Sequence, residues 1–233
     1  MPQPVIKFKN FTAFMIACFF LAGCGRSTAP QDSSVPKPAS QDPAPIVAEK
    51  IIQEIKEKNF QPFIVYQDKG SRNRFVPSGY MPTGECLELN DAWTTDCIEG
   101  ASCIRVVYDT ACSQKSRQWA GIYWLNPADN WGNKKGGYNL SSASKLVFWA
   151  KGEHGGEQIA EFKIGGVGIG QDYPDSDSAS IGPVILSKEW KEYSIDLRGK
   201  DLSFISGGFA WAANADSNRE GCTFYLDHIR YEQ

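Results

Sequence analysis

Residues 119–138, WAGIYWLNPADNWGNKKGGY, decide how the rest of the chain reads. The first seven, Trp119 to Leu125, are aromatic, branched or small, a composition that suits a pleated strand. The Asn126-Pro127 step and the Gly136-Gly137 pair then forbid a continued strand, because proline has no N–H for a ladder and glycine loosens the backbone. A strand therefore runs into a long polar loop, and no helix can pass through it. That loop gathers Asn126, Asp129, Asn130, Asn133 and an isolated Trp131.

Working outward, the same rhythm recurs over residues 60–233. Strand-like runs fall at 63–66, 85–89, 103–109, 119–125, 145–151, 159–164, 182–186, 191–197, 207–212 and 223–231, separated by clusters of Gly, Pro, Asn, Asp and Ser. Short strands with turn signals between them and no long helical period predict an all-β, antiparallel β-sandwich, and this many strands in one domain predict a jelly roll. With 42% hydrophobic residues among 233, the chain has material for one large core. A net charge of -3 and a pI near 5.5, with Lys and Arg scattered, exclude the basic stripe that nucleic-acid binding needs.

The N-terminal region obeys different rules. Lys7 and Lys9 precede an apolar run from Phe11 to Leu21, too short to span a bilayer. Leu21-Ala22-Gly23-Cys24 follows it and resembles the lipobox of bacterial lipoproteins. The resemblance implies a signal peptide over 1–23, lipidation of Cys24, and a membrane anchor in the bacterial cell envelope. Gly25, not an acidic residue, follows Cys24 and fits the outer membrane or cell surface. Residues 24–45 are Pro-, Ser- and Gln-rich and read as a disordered tether. Residues 46–59 read as a short helix, with Val47, Ile51 and Ile55 four apart.

Five cysteines lie in the folded part. Four of them, Cys86, Cys97, Cys103 and Cys112, crowd one hairpin, and export makes disulfides permissible. Partners across an antiparallel hairpin have residue numbers with a near-constant sum. Cys97 with Cys103 and Cys86 with Cys112 meet that condition to within two, which leaves Cys222 alone. Four cysteines permit three pairings, so the assignment is an expectation.

Aromatic rings and amides on one loop suit a sugar: a ring covers its C–H face and amides take its hydroxyls. Trp131 is the expected platform, with Tyr123 or Trp124 as a second and Asp129 and Asn130 as hydroxyl readers. The competing expectation is that Trp119 and Trp124 belong to the sandwich core. Asp172, Asp175 and Asp177 form an acidic loop that reads as a solvated turn or as a rim to the same site.

The segments SKEWKEYSIDLRGKDLSFISGGFAWAAN, GCTFYLDHIRYEQ, SASKLVFWAKGE and FIVYQDKGSRNRFVPSGYM resemble the galactose-binding-like β-jelly-roll domain, a fold common among non-catalytic carbohydrate-binding modules. The resemblance implies binding of a poly- or oligosaccharide along a sheet face or in loops at one end. It also implies a structural Ca²⁺ between the first strand's loop and the last strand, at Asp68 and Asp227. Ca²⁺ takes six to eight oxygens, so two carboxylates are only a start. Departures stand at Gln67 and at His228, where acids often occur. Two rival functions remain from the sequence: an envelope lipoprotein that binds a protein partner, and a glycan-active hydrolase. For the latter, Glu85, Glu88, Asp91, Asp129 and Glu161 offer carboxylate pairs, but no GxSxG, HExxH or phosphate-loop motif is present.

Overall fold

The structure, a computed structural model, describes residues 49–52, 61–112 and 118–233. The expected signal peptide, Cys24 and the tether lie outside the described residues. Of the expected helix, residues 49–52 are described and are helical, with Ile51 and Ile52 exposed.

Among the described residues, thirteen strands build an antiparallel sandwich. They are β1 (Phe63–Tyr66), β2 (Val76–Met81), β3 (Leu87–Trp93), β4 (Cys103–Tyr108), β5 (Trp119–Leu125), β6 (Lys145–Gly152), β7 (Gln158–Ile159), β8 (Glu161–Gly165), β9 (Ser178–Ile181), β10 (Val184–Ile185), β11 (Lys191–Asp196), β12 (Gly207–Asn214) and β13 (Cys222–Glu232). One sheet runs β11-β6-β13-β4-β3, with β1 also paired to β13; the other runs β2-β5-β12-β8-β9; β10 and β7 form a small ribbon. All pairings in both sheets are antiparallel. The fold class read from the sequence is the one observed. Two strands the sequence did not announce, β2 and β9, are the two edges of the five-stranded sheet. Pro77 and Gly79 interrupt β2, and an edge position is where a sheet tolerates them.

Strand alternation supplies the core. On β5, Ala120, Ile122 and Trp124 face inward, and on β12 so do Phe209, Trp211 and Ala213. Phe148 of β6 meets Phe162 and Phe209 of the opposite sheet at centroid distances of 4.6 and 5.2 Å, tying the layers together. Trp211 meets Phe224 edge-on at 4.8 Å. Each such pair adds about 0.5–1.5 kcal/mol beyond area burial.

Both expected disulfides are present, with Cα separations of 5.8 Å for Cys86–Cys112 and 5.4 Å for Cys97–Cys103. They staple the two ends of the β3–β4 hairpin. Cys222 is a free, buried thiol, pushed up to about 12 chiefly by burial and then by nearby Glu157. Such a thiol is inert packing.

Candidate functional site

The outward side of the five-stranded sheet is set by the pleat. Trp119, Gly121, Tyr123 and Leu125 share one face of β5, since side chains two apart point the same way. Across the ladder, Gly121 stands opposite Ala212 and Met81, and Tyr123 opposite Ala210 and Gly79; Ala212 in turn faces Glu161, and Ala210 faces Lys163. The floor of this row is built of small residues but is mostly covered: Ala210 is buried in a cluster with Tyr123, Leu125 and Val167, the Met81 methyl lies over the buried Gly121, and only Ala212 is half-exposed. A Cβ on Gly121 would sit 2.5 Å from the Trp211 carbonyl oxygen, so this floor position accepts only glycine.

Aromatic rings rise at both ends of that floor. Trp119 is 42% exposed and Trp131 is 39% exposed. Trp131 stands edge-on against Tyr123 with ring centroids 5.9 Å apart, and its ring also covers Gly79, where a Cβ would come within 3.1 Å. Four residues along β5 separate Trp119 from Tyr123, roughly 13 Å at strand rise. Tyr123 is itself buried; its hydroxyl donates to the Gly165 carbonyl at 3.0 Å, and burial raises its pKa.

The loop that carries Trp131 is held by amides. Asn130 is fully buried: its Nδ2 donates to the carbonyls of Asn126 and Lys134, and its Oδ1 accepts the N–H groups of Gly132 and Lys134. Asn126 donates to the Arg74 carbonyl and accepts the Gly137 N–H. Gly132, at φ +86°, lies so close to Gly168 that a Cβ would come within 2.4 Å of the Gly168 Cα, and its carbonyl accepts the Tyr173 N–H. Loops 126–138 and 165–177 thus interlock.

Asp175 pins the second loop. Its Oδ1 accepts the N–H and hydroxyl of Ser206, both at 2.6 Å, and its Oδ2 accepts the N–H groups of Val167 and Gly207. The sequence reading of this acidic loop as solvated or rim is corrected at Asp175, whose carboxylate is an internal anchor. Asp177 is tied to Ser178, Lys200 and Asp201, and its carboxyl is held below the usual range by those bonds.

Three of the expected sugar contacts change role. Trp124 cannot be a platform, because it is 1% exposed and packs on Phe209 at 5.4 Å. Asn130 cannot read hydroxyls, because all four of its hydrogen bonds are internal. Tyr123 is a prop under Trp131, its face already covered. Asp129 remains exposed beside Trp131 in the chain, its N–H on the Ser78 hydroxyl at 2.9 Å. Trp119, expected in the core, is instead on the outer face. The β5 pattern carries apolar residues at both parities, so only pairing with β2 and β12 reveals which parity is outside.

The pair expected to hold calcium comes together in a different way. Asp68 Oδ1 accepts the N–H groups of Ala101 and Ser102 at 2.6 and 2.8 Å. Asp227 is fully buried and accepts those of Ile98, Glu99 and His228. Burial pushes the Asp227 carboxyl up to about 6, against those N–H groups that pull it down, with nearby Asp68 raising it further. Peptide N–H groups present positive ends to the carboxylates where a cation would need oxygens. The Asp68 carbonyl is also engaged, by Ser71 and Asn73. Cys97, Cys103 and Asp227 bring ligand-type atoms within 4.8 Å of one another, but the two sulfurs are bonded to each other. These residues do not form an oxygen cage as they stand; the disulfide-closed loop between β3 and β4 occupies the place.

No known family and no curated protein matches the chain. Solved structures do. A family 30 carbohydrate-binding module superposes with a TM-score of 0.51 at 18% identity, covering 75% of this chain and 99% of that one. The family 30 carbohydrate-binding module of a cellulosomal cellulase of Clostridium thermocellum gives 0.48 at 18% identity, over 75% of this chain and 98% of that one. A family 29 carbohydrate-binding module variant gives 0.43 at 8%, over 73% and 89%. At these identities the likeness is one of fold. The described residues form an antiparallel β-sandwich whose fold is like that of a family 30 carbohydrate-binding module.

Proposed function

We propose that the outer face of the five-stranded sheet binds a glycan chain without cleaving it. The carrying observation is the pair of half-exposed indoles, Trp131 propped on Tyr123 and Trp119, at opposite ends of a Gly/Ala floor. Two sugar rings stack on the indoles while the chain between them crosses the half-exposed Ala212 and the Met81 side chain that lies over Gly121. Asp129, Glu161 and Lys163 supply hydrogen bonds to hydroxyls. The surface is preformed, because Asn130 and Asp175 fix both loops from inside, so little ordering opposes binding. Affinity falls between micromolar and millimolar, about −8 to −4 kcal/mol. The fold shared with carbohydrate-binding modules supports this reading.

Affinity electrophoresis of the full chain against plant, algal and bacterial polysaccharides, with a reducing-end assay, tests it. Retardation by one polysaccharide, lost in Trp131→Ala and without new reducing ends, is the expected result. Retardation unchanged in that variant places the site elsewhere, and new reducing ends replace binding with hydrolysis.

The same reading places the chain outside the cytoplasm as a lipoprotein of the bacterial envelope, anchored through Cys24. Two disulfides in the sandwich suit an oxidising compartment. Burial of acyl chains contributes about 0.8 kcal/mol per CH₂, and more than one chain makes such an anchor stable. Palmitate labelling that survives in Cys24→Ala would remove the anchor from the proposal.

A further inference from the structure

The opposite outer face, on the six-stranded sheet, carries a second cluster that the first site does not use. Tyr225 stands opposite both Lys151 and Arg105 in the ladder, and Asn90 continues that row. The Lys151 ammonium lies 4.9 Å from the Tyr225 ring centre and 5.3 Å from that of Trp190, and Arg105 covers Trp93 at 5.1 Å. Trp93 and Trp190 flank Tyr225 at centroid distances of 6.2 and 6.4 Å.

The loop after β3 fixes this cluster from above. The Trp93 indole N–H donates to the Thr95 carbonyl and the Trp190 indole N–H to the Asp96 carbonyl, at 2.9 and 2.8 Å. Asp96 pairs with Lys151, which is 9% exposed, and the Tyr225 hydroxyl donates to Glu153. Cys97–Cys103 closes the loop just beyond. A cleft of about 320 Å³ opens beside this cluster, bounded by Trp93, Tyr225, Lys151, Asp96, Lys188 and Glu189, with Trp190 behind Lys151 and Tyr225.

We infer that this cleft is a second binding site, for a neutral sugar one or two rings long. Its volume is at the small end of ligand pockets, which limits the ligand to that size. The half-exposed Trp93 and Trp190 indoles keep part of their surface for a pyranose, while Tyr225 is buried beneath Lys151. Charge decides the rest: on the lining Lys151 and Lys188 face Asp96, Glu153 and Glu189, with Arg105 outside it over Trp93, so both signs are interleaved and neither an acidic nor a basic ligand meets a single-signed surface. Carboxylates and amines instead supply donors and acceptors in alternation, as polyhydroxyl recognition requires. The inference stands on different residues from the long-chain face and does not depend on it.

Isothermal titration of the full chain with cellobiose, mannobiose, xylobiose and lactose tests it, beside Ala212→Arg, Trp190→Ala, Trp93→Ala and Glu153→Gln. One neutral disaccharide is expected to bind the parent and Ala212→Arg within twofold of each other, and to weaken at least tenfold in each tryptophan variant. Glu153→Gln, at an exposed residue, is expected to weaken it severalfold and keeps the test readable if Trp93→Ala fails to fold. Disaccharide binding that survives Trp190→Ala and Glu153→Gln, or that is absent throughout the panel in Ala212→Arg, overturns the proposal. Tighter binding of a glucuronate-containing disaccharide than of its neutral counterpart overturns the assignment to a neutral ligand. Loss of long-chain retardation in Ala212→Arg with disaccharide binding intact separates the two faces.

Discussion

On the five-stranded sheet the solvent side has a low apolar middle, Ala212 and Met81 above the covered Gly121 and Ala210, with indoles at its ends. On the six-stranded sheet the corresponding side carries Arg105, Lys151 and Tyr225 in its middle, with Trp93 and Trp190 around them. Both faces obey the same alternation, yet one keeps a low apolar middle and the other fills its centre with charges and rings. A chain of sugars needs length without obstruction, whereas a short ligand needs walls. The two faces also anchor their covering loops differently. Around Trp131 the anchors are a buried amide and the Asp175 carboxylate, while the loop over Lys151 and Asp227 is closed by a disulfide.

The sharpest way to break this comparison is at its anchors. Asp175→Ala leaves three backbone N–H groups and the Ser206 hydroxyl without their acceptor. A loss of about 4 kcal/mol is expected in urea unfolding, since each orphaned donor costs about 1–3 kcal/mol and water recovers part of it. Loss below about 1 kcal/mol would mean that the loop holds itself.

Next in size are the disulfides. Replacing both Cys86 and Cys112 by Ser is expected to cost roughly 3 kcal/mol, and the shorter Cys97–Cys103 loop about 2 kcal/mol, read by urea unfolding. The second pair should also weaken disaccharide binding, because it closes the loop that carries Asp96. Unchanged titration in that variant would detach the loop from the cleft.

A pH dependence tests the buried carboxylate. Asp227 has its pKa raised in the folded chain, so the folded state holds its proton more tightly than the unfolded state does. Its contribution to stability is therefore greatest below about pH 4 and declines as pH rises through about 6, by about 2 kcal/mol after allowance for screening. The stability of the parent relative to Asp227→Asn should fall over that window; a flat difference would refute the shift.

Ala212→Arg places a long side chain on the low apolar middle of the five-stranded sheet, at a half-exposed position. Polysaccharide affinity is expected to drop at least tenfold, about 1.4 kcal/mol, with little change in melting temperature. The smallest expected effect is that of calcium. Because N–H groups occupy Oδ1 of Asp68 and both oxygens of Asp227, neither added Ca²⁺ nor chelator should move the melting temperature by more than a degree. A clear rise with Ca²⁺ would show that the loop rearranges into an oxygen cage.

The sequence by itself determined the all-β class and most strand positions, and hairpin numbering pointed to both disulfide pairings without excluding the others, because alternation, turn residues and numbering are local. It missed β2 and β9, where Pro77, Gly79 and serines blur the pattern and an edge position excuses them. It also singled out Trp131, whose isolation in a polar loop is itself local information. Only the tertiary structure decided that Trp124 is core and Trp119 surface, since β5 is apolar at both parities and the choice belongs to the partner strands. Likewise Tyr225, Lys151, Trp93 and Trp190 come from four separate segments, and no spacing along the chain announces them. In the sequence Asp175 reads as a turn or rim acid and Asp227 as a calcium ligand; what each carboxylate does is set by which backbone N–H groups distant loops bring to it.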